Sequence, residues 1–290
     1  MLGLQYSVFQ FGGYSPVIAS SLPYQDAGNW SGDFDGTNDI VVAAGSAPQG
    51  HPTKPTAAVT LSLWISPEDW DYKDHAGYYS KAYMAGNLAT GGFALYFERG
   101  SGASGQDTFL KWQIGVEDNG TGSAGYLTAV TTNKIPDSFS GWKHIVGTYD
   151  GTTAKLYIDA SLSLTTNAAH GVGSAQDIDY STSGPETQVK EFAIGGSAQH
   201  LEFIHAKIDD VAIWSSALTI TEIAAIYNSG TPIDVRRSDI SGYDSEANLG
   251  AYWTFDEGVG GITTEMSGNS SAVGTLQNGI DFSVETPANP

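Results

Sequence analysis

Apolar and polar residues alternate with a period of two along most of this chain, which restricts the fold to one built mainly of β-strands. Over residues 58–65 the alternation sets Val59, Leu61, Leu63 and Ile65 on one face and Thr60, Ser62 and Trp64 on the other. Residues 93–98 and 110–116 repeat the pattern. Residues 142–149 predict a further strand, and Asp150-Gly151 after it is a hairpin signal, with residues 154–159 as the returning partner. Residues 191–194 and 207–214 add two more. Glycine takes 36 of 290 positions. That is well above the usual ~7% and suits many short strands joined by tight turns.

One helix interrupts this pattern. Thr219 and Glu222 have the spacing of a capping box, and Ile223, Ile226 and Tyr227 form an apolar stripe at helical spacing. Gly230 is the expected left-handed cap, and Pro232 blocks continuation. A single short helix after many strands is expected to plug a sandwich.

Composition narrows the function. The chain has no cysteine, which excludes disulfides, thiol catalysis and thiolate metal sites. Its net charge of −20 opposes binding to nucleic acid or anionic membranes and leaves carboxylates free to hold cations. No apolar run reaches the ~18 residues of a membrane span, and the first residues lack a basic leader pattern.

Five segments in order resemble the laminin-G-like branch of the concanavalin A-like lectin/glucanase superfamily, from about residue 30 to 232. They are residues 33–39 around Phe34-Asp35-Gly36, 59–65, 141–159 with Gly141-Trp142-Lys143-His144, 192–196, and 207–214 running on to the helix. The resemblance implies an all-β, two-sheet antiparallel jelly-roll β-sandwich with one short helix. Residues 1–29 are expected to form a lead that serves as an assembly segment or packs back as an edge strand. The sandwich is expected over 30–290. Within it, residues 249–290 close the same domain; a truncated second domain is the alternative. Relatives of this kind include carbohydrate-binding modules, adhesion domains, glycoside hydrolases and bacteriophage virion proteins. The helix end at residues 227–233 is most similar to phage structural proteins. The expectation is therefore a non-catalytic virion-associated structural or adhesion protein. Its partners would be other virion proteins or itself, and a host surface glycan. A calcium-dependent carbohydrate-binding module of a bacterial surface is the alternative, and a glycoside hydrolase comes third.

The chemistry can be tested residue by residue. Retaining glucanases need paired carboxylates ~5 Å apart, and acids at alternate strand positions would supply them. The pairs here, Glu68-Asp69, Glu117-Asp118 and Asp209-Asp210, are adjacent, and adjacent residues of a regular strand face opposite ways. The six histidines form no metal-binding pair. The resemblance links the segments holding Asp35, Asp39, Asp209 and Asp210 to a structural Ca²⁺. An oxygen-rich turn without metal at residues 35–39 is the alternative. For glycan stacking, Trp64, Tyr96, Trp112 and Tyr157 could project from a sheet face, although a strand Trp is more often core. Trp30, Trp70, Tyr72, Tyr78 and Tyr79 lie in loop-like sequence and suit a sugar site or a protein interface.

Overall fold

The computed structural model describes residues 28–43, 48–68, 81–87, 91–99, 108–116, 125–130, 135, 139–167, 177–180, 191–197 and 202–288. The chain runs through β1 (Ser31–Asp35), β2 (Ile40–Ala43), β3 (Val59–Pro67), β4 (Lys81–Asn87), β5 (Phe93–Arg99), β6 (Thr108–Val116) and β7 (Gly125–Val130). Next come β8 (Lys143–Tyr149), β9 (Thr153–Ile158), β10 (Ser161–Asn167), β11 (Phe192–Ile194), β12 (Gly196–Ser197), β13 (Glu202–Phe203) and β14 (His205–Trp214). Helix α1 (Ile220–Tyr227) precedes β15 (Leu249–Trp253), β16 (Ile262–Thr263), β17 (Gly274–Gln277) and β18 (Asp281–Ser283).

Two eight-stranded antiparallel sheets face each other. The first is ordered β10-β9-β8-β3-β14-β1-β18, with β15 also on β14. The second is ordered β16-β17-β2-β11-β4-β5-β6-β7. Residues 249–283 thus give strands to both sheets: β15 and β18 to the first, β16 and β17 to the second. The period-two alternation builds the core between them. Leu61, Leu63, Ile145, Leu156 and Ile208 come from one side, and Leu95, Leu110, Trp112, Ile114 and Phe192 from the other, all fully buried.

The first sheet also buries its outer face, contrary to a simple in–out reading. Trp214, Tyr252, Val146 and Tyr157 on that face pack with Ile223 and Ile226 of α1 and with Tyr243 in a second apolar layer. Trp64 stacks there on His144 (4.9 Å between ring centres) and on Tyr227 of the helix (5.8 Å). Ser62 Oγ lies 2.7 Å from His144 Nε2. Complete burial pushes the His144 pKa down to about 3, so the ring is neutral. Trp64 and Tyr157 are therefore structural residues of this layer.

The capping box forms as expected: the Glu222 amide donates to Thr219 Oγ1 at 3.3 Å, and the Thr219 amide donates to Glu222 Oε2 at 2.8 Å. The helix ends two residues earlier than expected. Asn228 is the left-handed cap (φ 44°), and Ser229 and Gly230 also have positive φ. Asn tolerates that region better than most residues, which explains the earlier stop. Thr219→Ala should cost about 1 kcal/mol in urea unfolding, through loss of the cap. An unchanged midpoint with the helix intact would reject that assignment.

Candidate functional site

The four carboxylates expected to share a calcium ion lie at two separate places. Asp35 pairs with His205, and Gly32 with Ile208, so Asp209 lies past the far end of the β1–β14 ladder. At ~3.3 Å per residue, the places are ~13 Å apart along β14.

The first place is a turn closed on itself. Asp35 Oδ1 accepts from the amides of Thr37 (2.7 Å) and Asn38 (3.4 Å), and Asp39 Oδ2 accepts from the Asp35 amide (3.1 Å). Gly36 supplies the positive φ of 72° that the turn needs. The buried Asp39 carboxyl has a raised pKa, first from burial and then from the nearby charges of Asp35, Asp281 and Asp33. One oxygen of each carboxylate, Asp35 Oδ1 and Asp39 Oδ2, is thus engaged in closing the turn.

The second place is a break in a sheet edge. On one side of β14, β1 pairs with residues 205–208 and β15 pairs with residues 211–214. The gap between the two strands falls at Asp209 and Asp210. There the β14–β3 register slips and Asp210 has φ 49°. This bulge overturns the expectation that the adjacent acids face opposite ways. Asp209 lies on the outer face, as the residue after inward Ile208, and Asp210 Oδ1 on the same face accepts the hydroxyl of buried Tyr252.

Chain segments entering β1 and leaving β15 meet at this gap. Asp256 Oδ1 accepts from the amides of Asn29 (2.8 Å) and Trp30 (3.3 Å), tying the two segments together. A Cβ on Gly28 would stand 2.3 Å from that same oxygen, so a larger residue there would have to displace the Asp256 carboxylate from these amides. Asp209 is 1% exposed. Its Oδ1 accepts from the Asp210 amide, but its Oδ2 is buried with no partner among the described residues, as is Oε2 of Glu257. Burial, followed by the charges of Asp210, Asp256 and Glu257, raises the Asp209 pKa well above the carboxylate range. Among the described residues no three His, Asp or Glu side chains form a ready metal cage. The gap offers orphaned carboxylate oxygens on Asp209 and Glu257, and an ion there would complete its shell with backbone carbonyls and water. Asp256 and Glu257 escaped the sequence reading because they lie 47 and 48 residues beyond Asp209. The one available signal was an acid pair immediately after a strand.

The second arrangement is the outer face of the second sheet. Lys81 and Tyr83 of β4, Tyr96 and Glu98 of β5, and Lys111 and Gln113 of β6 alternate with the core residues and so project outward. Tyr83 and Tyr96 pack at 5.0 Å as a floor, 6% and 3% exposed. The Tyr96 hydroxyl donates to Gln113 Oε1 at 2.6 Å, and burial pushes its pKa above its ordinary value. Lys111 pairs with Glu98, and Lys81 sits 5.4 Å from the Tyr96 ring centre. The polar residues around the floor are half-buried.

Other expected glycan contacts fall elsewhere. Trp112 is fully buried between the sheets and its Nε1–H donates to the Thr148 carbonyl at 3.0 Å, so it cannot stack a sugar. Trp30 lies across Gly258 beside the strand gap. Trp70, Tyr72, Tyr78, Tyr79 and the lead up to residue 27 lie outside the described residues.

Comparison with known proteins agrees with this architecture. A laminin-G family model described as the concanavalin A-like lectin/glucanases superfamily matches residues 35–224. A search of curated proteins finds no match. Among solved structures, a candidate carbohydrate-binding protein from Bacteroides ovatus superposes with a TM-score of 0.56 at 18% identity, covering 89% of this chain. This chain spans 60% of that protein's length. A heptameric SAP-like pentraxin from Limulus polyphemus gives 0.46 at 14% identity, over 69% of this chain and 82% of its own. With the family model matching well over half the sequence and the two antiparallel sheets in place, the chain belongs to the concanavalin A-like lectin/glucanases superfamily.

Proposed function

We propose that this protein is a non-catalytic, lectin-like adhesion module that binds glycan on the outer face of its second sheet. The reading rests on the difference between the two outer faces. The first sheet's face is sealed by α1 and its apolar layer. The second sheet's face instead carries half-buried Lys81, Glu98, Lys111 and Gln113 around the buried Tyr83–Tyr96 pair that fixes them in place. Fixed hydrogen-bonding groups converging on one patch are parts a sugar site needs. The resemblance of the Bacteroides ovatus carbohydrate-binding candidate is consistent with this use. We further propose a calcium ion at the strand gap, with Asp209 and Glu257 among its ligands. It would hold the chain segments that frame the fold. The setting we propose is the exterior of a virion, on the similarity of the helix end at residues 227–233; a bacterial surface is the alternative.

The test is binding to a panel of immobilised oligosaccharides. Gln113→Ala should lower retention about tenfold at a temperature where the variant is still folded, while Lys155→Ala on the other sheet should leave retention unchanged. No reducing-sugar release is expected. An empty panel, or binding indifferent to Gln113, would overturn the site. Turnover abolished by substituting one acid would overturn the non-catalytic reading.

A further inference from the structure

Lys81 stands apart from the cations that hold a carboxylate. Acidic residues outnumber basic ones 32 to 12, and five of the basic residues are seen paired with an acid. Lys111 pairs with Glu98, Lys143 with Asp159, Lys207 with Glu68, Arg236 with Asp234 and Arg237 with Asp239. Lys81 is half-buried and stands opposite Glu98 in the β4–β5 ladder, but Glu98 is engaged by Lys111, and the Lys81 ammonium instead lies over the face of Tyr96, 5.4 Å from its centre. A ring face offsets part of an ammonium's desolvation and leaves its hydrogen-bond donors unmet.

The surroundings add a second observation. Lys111 lies across Tyr96 from β4, and its pKa is lowered by burial and then by the Lys81 charge, so the two ammonium groups feel one another. Gln113 spends Oε1 on the Tyr96 hydroxyl, which leaves its Nε2 donors directed away from that bond. One face thus holds an ammonium, Lys81, with no carboxylate partner among the described residues, a second ammonium paired with Glu98, and an amide donor on Gln113, around two tyrosines. Lys111 is held by Glu98, so Lys81 and the Gln113 amide are the donors on this face left without an acceptor among the described residues.

We propose that the glycan bound on this face is anionic, with a sugar carboxylate received by Lys81 and Gln113. This rests on the outer-face reading above and adds the ligand's charge to it. The overall charge of −20 repels long polyanions, so the ligand is an oligosaccharide with an isolated acidic unit.

A matched pair of probes tests this: a glucuronic-acid-terminated oligosaccharide, and the same oligosaccharide with that carboxyl reduced to give a glucose terminus. The acidic probe should bind at least about tenfold more tightly, the worth of one charge-assisted hydrogen bond. Added salt should narrow the gap. Lys81→Gln should reduce the acidic probe to the neutral probe's affinity, and Lys81→Arg should restore most of the difference. Equal binding of both probes, unaffected by Lys81→Gln, would overturn the anionic ligand and leave the outer-face site standing. If neither probe nor any panel glycan bound, the outer-face reading itself would fall.

Discussion

Trp112→Ala should destabilise the protein by about 3–5 kcal/mol, the range for emptying a large aromatic from a packed core. The ring is fully buried and lies 5.7 Å from Phe93. A Cβ on Gly147 of the facing sheet would come within 2.3 Å of it, so backbone and ring are already in contact. Rigid β-sheets on both sides cannot close over the void. The lost Nε1–H bond also leaves the Thr148 carbonyl short of a donor in a dry site. At a few degrees per kcal/mol for a chain of this size, the melting temperature should fall by on the order of 10 °C. A sugar-stacking Trp would behave in the opposite way, with little change in stability and a loss of glycan binding. An unchanged melting temperature would return Trp112 to the surface and undo the inter-sheet core described above.

That contrast shows what the sequence could and could not reveal. Leu110, Trp112 and Ile114 share one face of a strand, and their company marks that face as core. The alternation of residues 59–65 likewise placed Val59, Leu61, Leu63 and Ile65 correctly. The fate of Trp64 on the other face was not legible. It depends on α1 folding back over the first sheet, and the helix's apolar stripe says only that some surface must receive it. The same limit hid the strand gap. Asp209 and Asp210 read as alternating strand residues because the period of two assumes an unbroken ladder. The bulge arises where two distant segments, β1 and β15, stop short of each other along β14. On the second sheet, the outward polarity of Lys81, Lys111 and Gln113 is visible in the sequence. Their meeting around Tyr96 depends on a cross-strand register that spans poorly patterned loops.

Asp209→Asn should have opposite effects with and without calcium. In chelator the ionised Asp209 is a buried charge beside other acids, with one oxygen unpartnered. Its pKa in the folded protein is raised, whereas in the unfolded chain it is near the ordinary ~3.9. The folded state therefore holds the proton over a window in which the unfolded state has lost it. Stability is greatest below the unfolded value and falls as pH rises toward the folded one, by about 1.4 kcal/mol per pH unit for this one group. Asn removes that loss, so in chelator at neutral pH the variant should be at least as stable as the parent, with a flatter pH profile. The proposed calcium ion should reverse the order. It requires the ionised form and binds only the folded state, so at a thousandfold excess over its dissociation constant it should add about 4 kcal/mol to the parent. That increment should grow with pH as protons stop competing for the carboxylate. The Asn variant supplies one neutral oxygen in place of the charge and should lose most of the increment. Urea unfolding of both proteins, with chelator and with calcium, across the acidic to neutral range, gives all four arms. Asp35→Asn should leave the increment intact, because its oxygens close a turn elsewhere. An equal calcium shift in the parent and Asp209→Asn, or a shift that follows Asp35, would place the ion away from the strand gap.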